Sequence, residues 1–247
     1  NTEGFNNTFV GRGAGQANTN ADSNTFIGDI AGGSVTTGGA NIMIGHTAGD
    51  AFDTETNNLG IGTAALGGSI AGGEYNVAIG NGTLDALTSG DGNVAVGYQA
   101  GTALTTGSVI AIGHRAGDGL TTGGGGIHIG YDAGRTYDTE NHNIGIGNYS
   151  LGSAIAGGEY NIAIGYQTLD ALTSADKNVA IGYQAGSAIT TGGANTLVGN
   201  ETGKSITTGT FNTFFGFEAG DNFDTEGNNL GIGAAALGGA VAGGEFN

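Results

Sequence analysis

The sequence has no proline and no cysteine, and only five basic residues among its 247. Without cysteine no disulfide staples the fold, and the compartment stays open, since reduced cytosol and many secreted repeat proteins both permit it. Without proline, and without glycine at every third position, a collagen triple helix is excluded. The five bases stand against 22 acids, for a net charge of −17. That balance excludes nucleic acid as a partner, because phosphate binding depends on cations that release counterions, and it disfavours anionic membrane surfaces. No run reaches the roughly 18 apolar residues of a membrane-spanning helix, so no membrane insertion is expected of this segment, and no signal peptide is visible. Charged residues are also scarce, at 11% against 38% hydrophobic, and disorder needs the opposite balance. What remains is an ordered β structure.

What is abundant is glycine, 55 residues of it, and it is periodic. The anchor is Asn-x-x-(Ile/Val)-Gly, as in Asn76-Val77-Ala78-Ile79-Gly80. Its glycines fall at Gly11, Gly28, Gly45, Gly62, Gly80, Gly97, Gly113, Gly130, Gly147, Gly165, Gly182, Gly199, Gly216 and Gly233. The step is 17 nearly everywhere, 18 after Gly62 and Gly147, and 16 after Gly97. Such self-similarity is the signature of stacked supersecondary units. A second period of five units, about 85 residues, lies over the first: "DTETNNLGIG" ends at Gly62, "DTENHNIGIG" at Gly147 and "DTEGNNLGIG" at Gly233, while "TLDALTS" occurs at 83 to 89 and 168 to 174. Residues 1–247 therefore read as one continuous repeat array, begun and ended inside the pattern like a piece of a longer fibre protein.

Within each unit, or rung, the residue before the anchor glycine is apolar, and a second apolar position follows seven or eight residues after that glycine. Examples are Val35, Phe52, Ile70, Leu87, Leu104, Leu120, Tyr137, Ile155, Leu172, Ile189, Ile206 and Phe223. The reading is strand, turn, strand, turn, with "TTGG" and "AGGE" clusters supplying small, φ-permissive corners. The fold class expected is all-β: a parallel β-roll or solenoid of about fourteen rungs, stacked at about 4.8 Å into a rod of about 65 Å. The anchor asparagines would form a ladder of stacked amides. Val109 and Gly126 interrupt that ladder, either as a bend or notch or as drift in a redundant feature.

A single rung buries about three sizeable apolar side chains worth roughly 2 kcal/mol each, against about 1.5 kcal/mol of ordering for each of some 17 residues. Rungs must therefore stack. The anchor strand is apolar on both faces, since Val77 and Ile79 point one way and Ala78 the other. Such strands are normally covered on both sides. One face would close the chain's own core. The other, expected to be that of the mostly small middle residues (with Phe9, Phe26, Met43, Leu197 and Phe214 at wider levels), would meet neighbouring chains.

The "NVAIG", "NIAIG" and "NVAVG" units resemble the head repeats of YadA-type trimeric autotransporter adhesins. The "NTFIG" and "GYQAG…TTG" variants resemble repeats of phage tail-fibre-like and bacterial surface proteins. The resemblance spans essentially the whole chain. It implies a left-handed parallel β-roll, a homotrimer and a role in attachment to a cell-surface molecule, at an extracellular, cell-surface or virion-fibre location.

No constellation for catalysis emerges, so no enzyme is expected. His46, His114, His128 and His142 lie on different rungs without acidic or serine companions at a recurring offset, and read as surface or interface residues. "TTGGGG" at 121 to 126 is a corner, not a phosphate loop, lacking the lysine and Ser/Thr that such a loop requires. Acidic turns recur once per five-rung block: Asp53 and Glu55, Asp138 and Glu140, Asp224 and Glu226, each followed on the next rung by Glu74, Glu159 or Glu245. Oxygen-rich turns of this kind are candidate Ca²⁺ ligands, and Ca²⁺ is the one cofactor the sequence suggests. Staggering that avoids like-charge ladders accounts for the same spacing without an ion. Threonine pairs at 36–37, 105–106, 121–122, 190–191 and 207–208 raise an ice- or glycan-binding alternative. They occupy too few rungs for a continuous threonine face and also read as ordinary polar corners.

Overall fold

A computed structural model of the chain describes residues 3–68, 72–136, 138–153 and 157–239. The chain divides into two compact units, Asn1–Gly125 and Gly126–Asn247. The first holds β1 (Thr8–Val10), β2 (Thr25–Ile27), β3 (Ile42–Ile44), β4 (Leu59–Ile61), β5 (Val77–Ile79), β6 (Val94–Val96) and β7 (Ile110–Ile112). The second holds β8 (Ile127–Ile129), β9 (Ile144–Ile146), β10 (Ile162–Ile164), β11 (Val179–Ile181), β12 (Thr196–Val198), β13 (Thr213–Phe215) and β14 (Leu230–Ile232). In each unit the strands pair in parallel and in chain order, one strand per rung, so the fold is an all-β solenoid. Register survives the irregular steps: Leu59 pairs Val77 across the 18-residue step and Val94 pairs Ile110 across the 16-residue step. The surplus or missing residue is absorbed in the corners.

Among the described residues the expected second strand of a rung does not form. Val35, Phe52, Leu87, Leu104, Leu120, Leu172, Ile189, Ile206 and Phe223 are core residues, at most 1% exposed, but they lie in irregular backbone just after the turn of their rung. Ile70, Tyr137 and Ile155 lie outside the described residues. The reason is backbone sign. Two and four residues after every anchor glycine φ is positive, as at Gln184 (+51°) and Gly186 (+58°), so the chain turns instead of extending. That side of the rung is tied to its neighbour by isolated bonds such as Thr36 N–H to the Asp53 carbonyl (2.9 Å).

The anchor glycines have a steric cause. Their φ lies near +140°, and a Cβ at Gly182 would stand 2.1 Å from the carbonyl oxygen of Gly199 on the next rung. Only glycine lets the rungs approach this closely.

The anchor asparagines form the expected ladder, with the backbone as its main partner. The Asn24 side chain accepts the N–H of Asn41 (2.8 Å) and donates to the Gly38 carbonyl (2.8 Å). The same pair of bonds joins Asn195 to Asn212 and Gly209. In the first unit the ladder runs from Asn7 to Asn93 and ends on Val109, whose N–H donates to Asn93 Oδ1 (2.9 Å). In the second unit it runs from Asn143 to Asn229.

The two faces of the strand are assigned opposite to expectation. The middle residues are the chain's own core: Phe26, Met43, Ala78, Ala95, Ala111, Ala163, Ala180, Leu197 and Phe214 are fully buried. They share the parity of the buried anchor asparagine two residues earlier, which points inward. The residues flanking them face outward and are partly exposed.

In most rungs core volume is conserved by exchange between two positions. Where the middle residue is large, the position four after the anchor glycine is glycine: Phe26 with Gly32, Met43 with Gly49, Leu197 with Gly203, Phe214 with Gly220. A Cβ at Gly32 would sit 2.6 Å from the Phe26 ring. Where the middle residue is Gly60, Ala78, Gly145 or Ala163, the other position is Leu66, Leu84, Leu151 or Leu169, each fully buried. In these rungs the space is filled from one of two directions, whereas Ala95, Ala111 and Ala180 are matched with Gly101, Gly117 and Gly186, so the exchange does not extend to their rungs.

Candidate functional site

The most extensive candidate surface in each unit is the outward face of its sheet. First and third strand residues point outward, and among them only Thr8, Thr25, Thr196 and Thr213 are polar and none is charged. Val10 (57%), Ile42 (41%), Ile181 (37%) and Phe215 (47%) exceed a third of their surface in water, and most of the others are half-buried by neighbours in the same column. Parallel sheets are normally covered on both faces, and a contiguous apolar strip on an otherwise acidic chain marks a contact surface.

Beside this face runs the column of residues just after the anchor glycines. In the second unit it carries Tyr131, Tyr166 and Tyr183, joined by Tyr149 through ring centroids 5.4 to 6.0 Å apart. In the first unit Tyr98 stacks on His114 at 5.2 Å. The same column holds an ion pair in which Arg12 grips Asp29 with two bonds (2.9 and 2.7 Å), with His46 3.9 Å from the carboxylate. The Arg12 bond holds the Asp29 carboxyl below the usual range. Both partners are solvated, so the pair contributes little to stability.

The acidic turns prove to be part of the scaffold. Glu55 Oε2 accepts the N–H groups of Asp53 (2.7 Å) and Thr54 (3.1 Å), and its Oε1 accepts Gly72 N–H on the next rung (3.1 Å). Glu140 repeats this with Asp138, Thr139 and Gly157, and Glu226 with Asp224 and Thr225. These carboxylates therefore close corners whose amides would otherwise be unmet. Glu74 accepts the Thr56 hydroxyl (3.0 Å) and Glu159 accepts the Asn141 amide (3.0 Å). Asp53 and Asp224 accept the hydroxyls of Thr36 and Thr207. Glu245 lies outside the described residues. Among the described residues no three His, Asp or Glu side chains converge as a metal site would require. The threonine corners are likewise partly spent on structure, since the Thr105 and Thr190 hydroxyls donate to carbonyls of the next rung.

Histidine holds one surprise. His46, His114 and His142 are exposed, as read from the sequence, but His128 is the middle residue of β8 and only 1% exposed. It fills the space beside Gly134, where a Cβ would meet the ring at 2.1 Å. Burial pushes its pKa down to about 4, so it is a neutral core residue at ordinary pH. Parity with the other middle residues was the signal that placed it.

What this arrangement can do chemically is make contacts: a long apolar face, an aromatic edge and acidic corners, all repeated. No helix among the described residues is long and apolar enough to cross a membrane. Comparison of the chain with family models, with curated proteins and with solved structures returns no match.

Proposed function

We propose that this chain is the structural shaft of an extracellular fibre or surface adhesin, in which several copies, three by the resemblance to adhesin head repeats, associate through the outward faces of their sheets and mediate attachment. The observation that carries the reading is the uncharged, half-exposed apolar face of each unit. A chain with 22 acids and five bases keeps all of them off that face, which is what contact between identical, like-charged copies requires. A segment of a phage tail fibre would use the same construction. No catalytic role is proposed.

The test is a charge placed on the face. Ile164→Lys points outward from β10 and leaves the inward Ala163 untouched. The expected result is a fall in sedimenting mass toward the 24.0 kDa of one chain with the β circular-dichroism spectrum retained. An unchanged mass for this variant and for Ile79→Lys on β5 would remove the face from the assembly.

A further inference from the structure

Four of the five basic residues are paired: Arg12 with Asp29, Arg115 with Asp118, Arg135 with Asp132 and Lys204 with Glu201. Among the described residues Lys177 is the one cation without an ion pair. It is exposed and lines an open groove of about 360 Å³ in the second unit, with Ser174, Asp176, Thr191, Thr210 and Phe211. Phe211 is 63% exposed on the rung two beyond Lys177. Ala194 lies between them, so the floor is low where the two side chains rise. Asp176, part of the groove lining, accepts the Glu159 N–H on Oδ1 (2.8 Å), which fixes the carboxylate.

The internal repeat supplies a control within the chain. Five rungs earlier the block keeps Ser89 and Asp91 for Ser174 and Asp176, but has Gly92 for Lys177 and Gly125 for Phe211. Corner architecture therefore needs the serine and the aspartate, while the cation and the aromatic ring are additions that it does not need. Both additions sit in the left-handed backbone region (φ +60° and +58°), where a side chain carries a conformational cost that Gly92 avoids.

We propose that this groove binds a saccharide and prefers a hexuronate. The Lys177 ammonium pairs with the sugar carboxylate, the Phe211 ring lies against the apolar face of the pyranose, and Asp176, Thr191 and Thr210 exchange hydrogen bonds with the ring hydroxyls. One cation in a chain of net charge −17 matches a singly charged ligand. A phosphate ester or polyanion would meet more repulsion than one lysine offsets. Hydroxyls flanking one aromatic ring suit a ligand that is polar at its edge and apolar on its face. The site is complete within one chain, so it stands or falls separately from the association of copies.

The experiment is saturation-transfer NMR on the full chain with methyl β-D-glucuronide and methyl β-D-glucoside, two probes that differ only in the carboxylate. The glucuronide is expected to bind about tenfold more tightly, the worth of one charge-assisted contact. Lys177→Gln should erase that preference while leaving glucoside binding unchanged. Phe211→Ala should weaken both probes by about tenfold. Both variants keep the fold, since these side chains are exposed and Ala194 already occupies the same corner position with φ of +58°. Equal affinity for the two probes, a preference that survives Lys177→Gln, or no saturation transfer at any soluble concentration of glucuronide would overturn the proposal.

Discussion

Asn178 shows what a single ladder position does. Its Oδ1 accepts Asn195 N–H (3.0 Å) and its Nδ2 donates to the Gly192 carbonyl (3.0 Å), all of it buried. Alanine would strand a donor and an acceptor away from water, at about 1–3 kcal/mol for each group left unmet. Asn178→Ala should therefore destabilise the chain by about 3 kcal/mol in urea unfolding, and Asn7→Ala, at the half-buried end of the ladder, by about 1 kcal/mol. The anchor glycines allow a cleaner separation of causes. Gly182→Ala meets both positive φ and a carbonyl 2.1 Å away, whereas a Cβ at Gly233 has nothing within 4 Å and meets only the φ penalty. Gly182→Ala should lower the melting temperature well beyond Gly233→Ala, and equal effects would assign the recurrence of glycine to backbone conformation alone. The asparagine and the glycine were both legible in the sequence because each recurs as a single residue type. The left-handed residue before the anchor asparagine was not. Tyr75, Lys177, Ala194 and Phe211 all occupy it, and no shared side chain announces a conformation held by rung-to-rung bonds such as Lys177 N–H to the Glu159 carbonyl (3.0 Å).

At the scale of one rung, the exchange between the middle strand position and the position four after the glycine governs the packing of most rungs. Leu169 fills the rung whose middle residue is Ala163, and Leu197 fills one from the opposite side with Gly203 facing it. Leu169→Gly should cost about 2–5 kcal/mol through the cavity it leaves, and at a φ of +51° glycine brings no backbone strain. Ala163→Leu alone should overpack by about 1–3 kcal/mol. The double variant Ala163→Leu with Leu169→Gly recreates the Leu197 arrangement, so the two changes should offset one another by more than 1 kcal/mol in a double-mutant cycle. Simple additivity would mean that the two positions do not share one cavity. The three-residue strand itself was readable as apolar alternation, but which face turned inward was not, because both faces are apolar. The buried asparagine of matching parity resolves it. The missing second strand has a similar origin: a buried position such as Leu87 looks the same to hydropathy whether its backbone extends or turns.

For the whole molecule, titration and association are the properties that no single rung determines. His128 has an ordinary pKa of 6.5 when unfolded and about 4 when buried. Between those values the unfolded chain holds a proton that the folded one lacks. Stability therefore falls as pH drops from about 6.5 to about 4 and levels off below, for a loss on the order of 3 kcal/mol from this group. His128→Leu, a middle residue already used at Leu197, should remove that part of the pH dependence in a series of urea unfolding curves. The repeat and the solenoid class were plain in the sequence, while the structural use of the acidic turns was not. Glu55, Glu140 and Glu226 recur because each caps the amides of its own corner, a role that spacing alone does not distinguish from ion binding. The proposed association would rest on the outward apolar faces, and sedimentation equilibrium of the unmodified chain at neutral pH and high salt tests it most directly. The predicted result is a single species at a whole-number multiple, expected to be three, of the 24.0 kDa chain, persisting in high salt because apolar contacts are not screened. A folded species of 24.0 kDa at every concentration would contradict the account.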